Sequence, residues 1–229
     1  MKITIIIPCY NEVKTIKEII ARVENEINHL EKEIIIIDDF STDGTREFLK
    51  NCELKENIKI ILNEKNYGKG YCIKQGIKNA SGDIILIQDA DLEYSPSEYP
   101  RLLKPIMENN ADVVYGTRFS YSNERRVHFF WHTIANKILT FLCNFRTNLN
   151  LTDMEVGFKV FKVQTINDLN LKENRFGFEP EITIKIAKKK LSIYEVGIAY
   201  YGRSYDQGKK ITLKDAFQAV YIILFKYYY

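Results

Sequence analysis

Short β-branched runs alternate with helically spaced apolar residues through the first half of the chain. Residues 3–7 form an unbroken β-branched run of strand length, ending at Pro8. Ile16, Ile19, Ile20, Val23, Ile27 and Leu30 then recur at helical spacing and predict one amphipathic helix. A second strand is predicted over residues 34–37, nearly continuous in apolar residues, as strands covered on both faces are. The alternation continues with a helix near Thr45–Asn51, a strand at Ile58–Leu62, a helix near 70–80, a strand at 83–88 and a strand at 111–115. Between the last two, Ser95-Pro96-Ser97-Glu98 marks a helix start: Ser95 caps it, Pro96 suits its first turn and Glu98 completes a capping box. This order predicts an α/β fold, a mostly parallel sheet with helices on both faces. Ligands on such sheets gather outside the C-terminal strand ends. The second half reads as a long aromatic-rich helix over 127–145, a polar loop at 146–153, short elements, a helix near 179–190, a strand at 192–196 and a last helix from about Leu213. Without a repeat, a low-complexity tract or a linker-like stretch, one domain over residues 1–229 is expected.

The 229 residues are 45% apolar and 28% charged, an ordinary globular balance that excludes disordered, collagenous and disulfide-scaffold classes. Lys and Arg number 33 against 30 Asp and Glu, a net charge of +3, so no global field draws the chain to nucleic acid. Cys9, Cys52, Cys72 and Cys143 show neither a C-x-x-C pair nor metal-ligand spacing and read as buried or idle thiols. Met1-Lys2 lead directly into the first strand, without the apolar core of a signal peptide. The longest apolar run, residues 219–225, holds 7 residues against the roughly 18 that a membrane-spanning helix needs. A cytoplasmic chain that does not cross a bilayer is expected.

Chemistry concentrates where strands end. Gln88-Asp89-Ala90-Asp91-Leu92-Glu93 carries an apolar strand into three acids at alternate positions, which an extended backbone places on one side. Carboxylates so close repel unless a counter-charge joins them. Mg²⁺ or Mn²⁺ suits, because hard divalent cations take oxygen ligands and share them with substrate phosphates; the competing reading is a solvated acidic turn. Asp38-Asp39 ends another strand. Adjacent strand residues face opposite ways, so one of the two meets ligand while the other binds loop amides or caps the next helix. Pro8-Cys9-Tyr10-Asn11-Glu12 ends the first strand with an aromatic ring, an amide and an acid, groups suited to a nucleoside's base and ribose.

Gly68-Lys69-Gly70 begins like a dinucleotide fingerprint but has Ile73 where the third glycine would stand, and no P-loop occurs. These glycines read as a tight loop that leaves Lys69 free to reach phosphate. Arg118 ends a strand on the edge that carries the acids. With Arg125, Arg126 and Arg203 it offers planar forks suited to a second phosphate, against the alternative of separate surface ion pairs. His128 and His132 have the i, i+4 spacing of a zinc pair, but Phe129 and Phe130 leave out the acid of H-E-x-x-H, and a plain polar stripe is the stronger reading. No Ser or Cys sits in a nucleophile-elbow setting.

Pro8-Cys9-Tyr10-Asn11-Glu12, Asp38-Asp39-Phe40-Ser41-Thr42-Asp43-Gly44-Thr45, Asn66-Tyr67-Gly68-Lys69-Gly70, Asp89-Ala90-Asp91 and Gly116-Thr117-Arg118 stand in the order and spacing of family 2 glycosyltransferases. The chain most resembles the dolichyl-phosphate and polyprenyl-phosphate sugar synthase branch. Leu151-Thr152-Asp153-Met154-Glu155, Arg175-Phe176-Gly177-Phe178-Glu179 and Tyr201-Gly202-Arg203-Ser204-Tyr205 resemble its bacterial members. The resemblance implies a GT-A fold and inverting transfer of one sugar from a UDP-glucose-like or GDP-mannose-like donor to a polyprenyl phosphate. It implies that Pro8, Tyr10, Asn11, Glu12, Ile37 and Asp39 hold base and ribose, and that Lys69, Asp89, Ala90 and Asp91 hold the rest of the donor. Asp89, Asp91 and Glu93 would surround Mg²⁺ or Mn²⁺, although relatives often carry Gln or Ser in place of Glu93. Arg118, Arg125, Arg126 and Arg203 would hold the acceptor phosphate. Residues 1–118 then form the nucleotide-sugar half and residues 119–229 the acceptor half.

A lipid phosphate is already anionic near neutral pH and attacks without a strong base, whereas a hydroxyl acceptor requires one, for which Asp153 is the candidate. Phe217, Val220, Tyr221, Leu224 and Phe225 form an apolar stripe with Lys214 and Lys226 nearby. Such a helix suits peripheral contact with the cytoplasmic face of a membrane, or docking on the core. The aromatic start of the 127–145 helix poses the same choice. Three rival functions stand beside this one: a same-fold transferase acting on a saccharide hydroxyl in cell-surface glycan synthesis, a nucleotidyltransferase releasing pyrophosphate, and a nucleotide-sugar sensor without turnover.

Overall fold

In β1 (Lys2–Cys9), Ile5, Ile6 and Ile7 are all fully buried. Neighbours on a strand point to opposite faces, so the sheet is covered on both sides here. The computed structural model describes residues 1–53, 55–119, 127, 129–203 and 213–227, with 213 and 214 described by backbone alone. After β1 come α1 (Ile16–Asn25), β2 (Glu31–Asp38), α2 (Thr45–Asn51), β3 (Ile58–Leu62), α3 (Lys69–Asn79) and β4 (Ile84–Ile87). A single 3₁₀ turn at Pro96–Glu98 leads into α4 (Tyr99–Met107), followed by β5 (Val113–Thr117) and α5 (Phe130–Thr147). The chain continues through β6 (Lys159–Lys162), α6 (Val163–Asn167), α7 (Phe178–Lys188) and β7 (Ile193–Gly197) to α8 (Leu213–Phe225).

The seven strands lie in the order β3-β2-β1-β4-β6-β5-β7. β1 runs parallel to β2 and β4, with Ile5 opposite Ile34 on one side and Leu86 on the other, and β2–β3 and β5–β7 are parallel as well. Only β6 runs antiparallel to its neighbours, β4 and β5. The expected α/β architecture, a mostly parallel sheet between helices, is the one found. The chain leaves β1 toward β3 and returns to β4 on the other side of β1. The order of strands therefore reverses between β1 and β4, and a crevice opens beyond their C-terminal ends.

Several boundaries differ from the sequence expectation for physical reasons. α1 ends at Asn25; Ile27 is buried with a left-handed backbone (φ 46°) in the turn back to β2, so Ile27 and Leu30 stand outside the helix. β4 stops at Ile87, and Leu92 is left-handed (φ 62°), so the acids after β4 lie on a turn and not on an extended strand. Ser95 accepts from the Ser97 amide at 3.4 Å, while the Glu98 carboxylate accepts from the Ala199 amide at 3.1 Å and from Arg101 at 3.2 Å. A tertiary contact thus uses the acid that a capping box would have used. α5 starts at Phe130, three residues later than expected, and ends at Thr147 before a left-handed Asn148.

α5, α7 and α8 pack together beside the sheet. On α8 the buried face is Ala219, Ile222 and Ile223, while Phe217, Tyr221 and Phe225 stay exposed. The stripe read from the sequence therefore divides: Val220 and Leu224 pack against the core, and the aromatics face outward. Phe129, Phe130 and Trp131, at the start of α5, are also exposed and do not fill the core.

Candidate active site

The ends of β1 and β4 open into a cavity of about 590 Å³. Pro8, Cys9, Tyr10 and Glu12 line it after β1, and Asp89, Ala90, Asp91, Glu93 and Tyr94 after β4. Asp39, Asn66, Gly68, Lys69 and Cys72 contribute a third wall. Arg118 and, from the second half of the chain, Glu155, Gly157, Arg175, Phe176, Glu179, Tyr200 and Arg203 close it.

The three acids after β4 converge because the backbone turns there. Glu93 donates its amide to Asp91 Oδ1 at 3.1 Å. Burial, then the charges of Asp89 and Glu93, push the Asp91 carboxyl up to about 7, against the pull of Arg203. Arg203 reaches Glu12 at 3.0 Å, Asp91 at 2.8 Å and Glu93 at 3.3 Å, and its amide donates to Glu93 at 2.9 Å. The Tyr200 hydroxyl also donates to Glu93, at 2.7 Å. Lys69 is not free, as the sequence reading had it: its Nζ lies 2.8 Å from Asp89 and 3.6 Å from Glu179. Burial lowers the Lys69 pKa, but the Asp89 and Glu179 carboxylates outweigh it and hold it above the ordinary lysine value.

Of the two acids ending β2, only Asp39 reaches the cavity, as strand alternation requires. Its oxygens accept from the Tyr67 amide (2.9 Å), the Gly68 amide (2.7 Å) and Asn63 Nδ2 (2.9 Å). The Cys72 thiol is hydrogen-bonded to Asp39 as well, so the carboxylate is held firmly at the cavity wall. Asp38 points away and pairs with Arg46 at 2.8 Å. Ile37 and Asn11 do not line the cavity. Ile37 is buried in the sheet beside Pro8, and Asn11 ties two loops by accepting from the Thr42 amide at 2.8 Å.

Arg118 lies on the cavity wall and forks onto Asp153, with Nε at 2.6 Å and Nη2 at 2.7 Å, while its amide donates to the same carboxylate at 3.1 Å. Asn136 donates to Asp153 at 2.9 Å. Burial raises the Asp153 carboxyl, but Arg118 and these hydrogen bonds outweigh it and hold its pKa below the ordinary carboxylate value. Asp153 is fully buried behind Arg118 and is not on the cavity wall. It anchors the guanidinium rather than facing a substrate. Arg118, Tyr200 and Arg203 also line a smaller cavity of about 60 Å³ with Phe119, Val127, Phe129 and His132. Arg125, Arg126 and His128 lie outside the described residues.

Sequence reasoning passed over the far wall. Lys159 is fully buried between Glu179 and the carbonyls of Met154 and Val156. A Cβ on Gly157 would run into the Asp89 carboxylate. Glu155 and Glu179 stand in the segments that carry the resemblance, but neither ends a strand nor belongs to a periodic acidic pattern.

The donor set after β4 is all oxygen, buried and crowded with like charge, which is the chemistry Mg²⁺ and Mn²⁺ take. Among the described residues, no three His, Cys, Asp or Glu side chains are placed to cage an ion by themselves. The residues fit an open site, in which Asp91 and a neighbouring acid share the cation with substrate phosphates.

Fold and cavity together have the architecture of the GT-A class. The sequence matches glycosyl transferase family 2 over residues 4–169, and the chain belongs to that family. Over 217 residues it is 30% identical to a dolichol-phosphate mannosyltransferase of Pyrococcus furiosus, covering 92% of this chain and 61% of that protein. Over 218 residues it is 29% identical to the undecaprenyl-phosphate 4-deoxy-4-formamido-L-arabinose transferase of Proteus mirabilis, covering 93% of this chain and 64% of that one. Both relatives are sugar transferases named for polyprenyl-phosphate substrates, and the chain spans less than two thirds of their lengths. The glucosyl-3-phosphoglycerate synthase of Mycobacterium tuberculosis, solved with Mn²⁺, UDP and glucosyl-3-phosphoglycerate, superposes with a TM-score of 0.74 at 19% identity, covering 98% of this chain and 79% of that one.

Proposed function

We propose that the chain transfers one sugar, with inversion, from a nucleoside-diphosphate sugar to a polyprenyl phosphate. The observation that carries this reading is the mixed charge of one cavity: Asp89, Asp91 and Glu93 after β4 line the same 590 Å³ as Lys69, Arg118, Arg175 and Arg203, with Lys69 and Arg203 in direct contact with the acids. Two anionic substrates meeting at one carbon need such a site. Tyr10 offers a ring to the base, and Asp39, on the same wall, offers its carboxylate to the ribose. The strand ends before Arg118 supply most of the donor's groups, and Arg118 with Arg203 serves the acceptor.

The acceptor phosphate oxygen attacks the anomeric carbon as the bond from that carbon to the donor diphosphate breaks, and the nucleoside diphosphate leaves with the bonding pair. A phosphate monoester, with a second pKa of about 6, is mostly dianionic at neutral pH and needs no protein base. The position of Asp153, locked behind Arg118, agrees with an acceptor that brings its own charge. Arg118 and Arg203 hold the attacking phosphate in line, which lowers the barrier by orientation. Lys69, kept charged by its carboxylates, stabilises negative charge growing on the leaving diphosphate. Asp91 with Asp89 or Glu93 would hold Mg²⁺ or Mn²⁺, which would supply Lewis-acid charge to that diphosphate.

No helix among the described residues is long and apolar enough to cross a membrane. Outward aromatics on α5 and α8, among them Trp131 at 77% and Phe217 at 76% exposure, support peripheral contact with the cytoplasmic membrane face, where a lipid acceptor would be met. The reading is tested by Arg118→Ala. The KM for a short polyprenyl phosphate should rise about tenfold or more, a lost charge-assisted bond, with donor KM little changed. The reverse ranking would mean that Arg118 serves the donor.

A further inference from the structure

Glu155 stands on the cavity wall, in the loop between α5 and β6. Its Oε1 is closed off from solvent and has no hydrogen-bond partner. The charged groups around it are already committed. Asp153 holds Arg118 and Asn136, and Glu179 holds Lys159 and Lys69. Lys159 spends its remaining donors on the Met154 and Val156 carbonyls. A buried carboxyl oxygen left without a donor costs stability, and such a group in a native chain calls for an explanation beyond the fold.

The position and charge of Glu155 narrow what completes it. Tyr10 and Asp39, suited to the nucleoside, come from the β1 and β2 ends, whereas Glu155 comes from the opposite wall. Two residues on, Gly157 abuts Asp89, and Glu179 pairs with the same Lys69 that holds Asp89. This is the end of the cavity where the donor's diphosphate meets its sugar in the reading above. The carboxyl lacks a donor, and the diphosphate and the acceptor phosphate offer only acceptor oxygens at neutral pH, so the part of the substrates that can serve it is a hydroxyl, which both donates and accepts. Burial, then Glu179, pushes the Glu155 carboxyl up to about 8, against Lys159 and Arg118, so at neutral pH it holds a proton to donate as well as an oxygen to accept.

We propose that Glu155 is the residue that reads the donor's sugar: its carboxyl takes a ring hydroxyl of the transferred sugar and so sets which nucleotide-sugar is accepted. This rests on the donor reading but not on the nature of the acceptor.

Binding without acceptor tests it. The wild-type chain, Glu155→Ala and Glu155→Gln are titrated calorimetrically with UDP, GDP and a panel of their sugars in the presence of Mg²⁺, and each variant's thermal midpoint is measured. In Glu155→Ala the preferred nucleotide-sugar should bind about tenfold or more weakly, with the bare nucleoside diphosphate within about twofold of wild type. Glu155→Gln should discriminate less among sugars and melt at or above the wild-type temperature, because it removes the uncompensated carboxyl. Sugar and bare-nucleotide affinities falling together, or unchanged discrimination with a lower melting temperature, would assign Glu155 to the framework and overturn the proposal. A wild-type chain that binds none of these nucleotides would overturn the donor reading, and this assignment with it.

Discussion

Gly157 carries no side chain where Asp89 fills the space beside it, and its amide donates to the Tyr94 hydroxyl at 3.2 Å. Gly157→Ala should therefore displace the Asp89 carboxylate without adding charge or polarity. A shift of about 1 Å at a positioning group costs on the order of 10²-fold in rate. Steady-state release of nucleoside diphosphate should fall by about that factor in the variant, and unchanged turnover would mean that the Asp89 position does not matter. Glu155 adds a pH signature. With its pKa raised from an ordinary 4.5 to about 8, the folded chain holds a proton in that window that the unfolded chain has lost. Stability is then lost through Glu155 as pH rises from the lower value to the upper. The groups facing it, Glu179, Lys159, Arg118 and Asp153, are the same in a Glu155→Gln variant. Melting curves across that range should show a shallower decline with pH in Glu155→Gln than in wild type; parallel declines would contradict the shift. Asp153 works in the opposite sense: its depressed pKa adds stability that is present above the ordinary carboxylate range and lost as pH falls through its folded value.

At the scale of elements, α8 does two jobs with two faces. Ile222 and Ile223 are buried, and Arg146 donates to both their carbonyls, so removing the helix would open the core. Changing Phe217, Tyr221 and Phe225 together to Ser spares that face. Co-sedimentation with anionic lipid vesicles should fall several-fold while the melting temperature holds; undiminished binding would place the lipid contact elsewhere. The division of faces was only half legible in the sequence, because an apolar stripe with aromatics on one flank has the same period whether it is buried or exposed. β1, β2 and β4 were legible because strands covered on both faces read as unbroken runs. β6 was not: it has four residues, two of them lysines, and Lys159 is tolerated only because Glu179 from α7 meets it in the core. The clustering of the β4 acids was legible but for a partly wrong reason, since a turn at Leu92, not an extended strand, brings them together at the cavity. Glu155 carried no local signal. Its position depends on α5 and β6 folding around it.

Across the whole molecule, a net charge of +3 conceals a strongly polarised interior. The reversal of strand order between β1 and β4 brings acids from the first half against arginines from the second, at the one edge where the sheet leaves a crevice. The aromatic surfaces of α5 and α8 belong to the same second half that supplies Arg203. Under the proposed function these charges join a sugar to a phosphate, which phosphorus NMR of the chain with its nucleotide-sugar, Mg²⁺ and a short polyprenyl phosphate would show. Each nucleoside diphosphate released should be matched by one new glycosyl phosphodiester, with the anomeric carbon inverted relative to the donor. A lipid phosphate that remains a monoester while nucleoside diphosphate accumulates would contradict it.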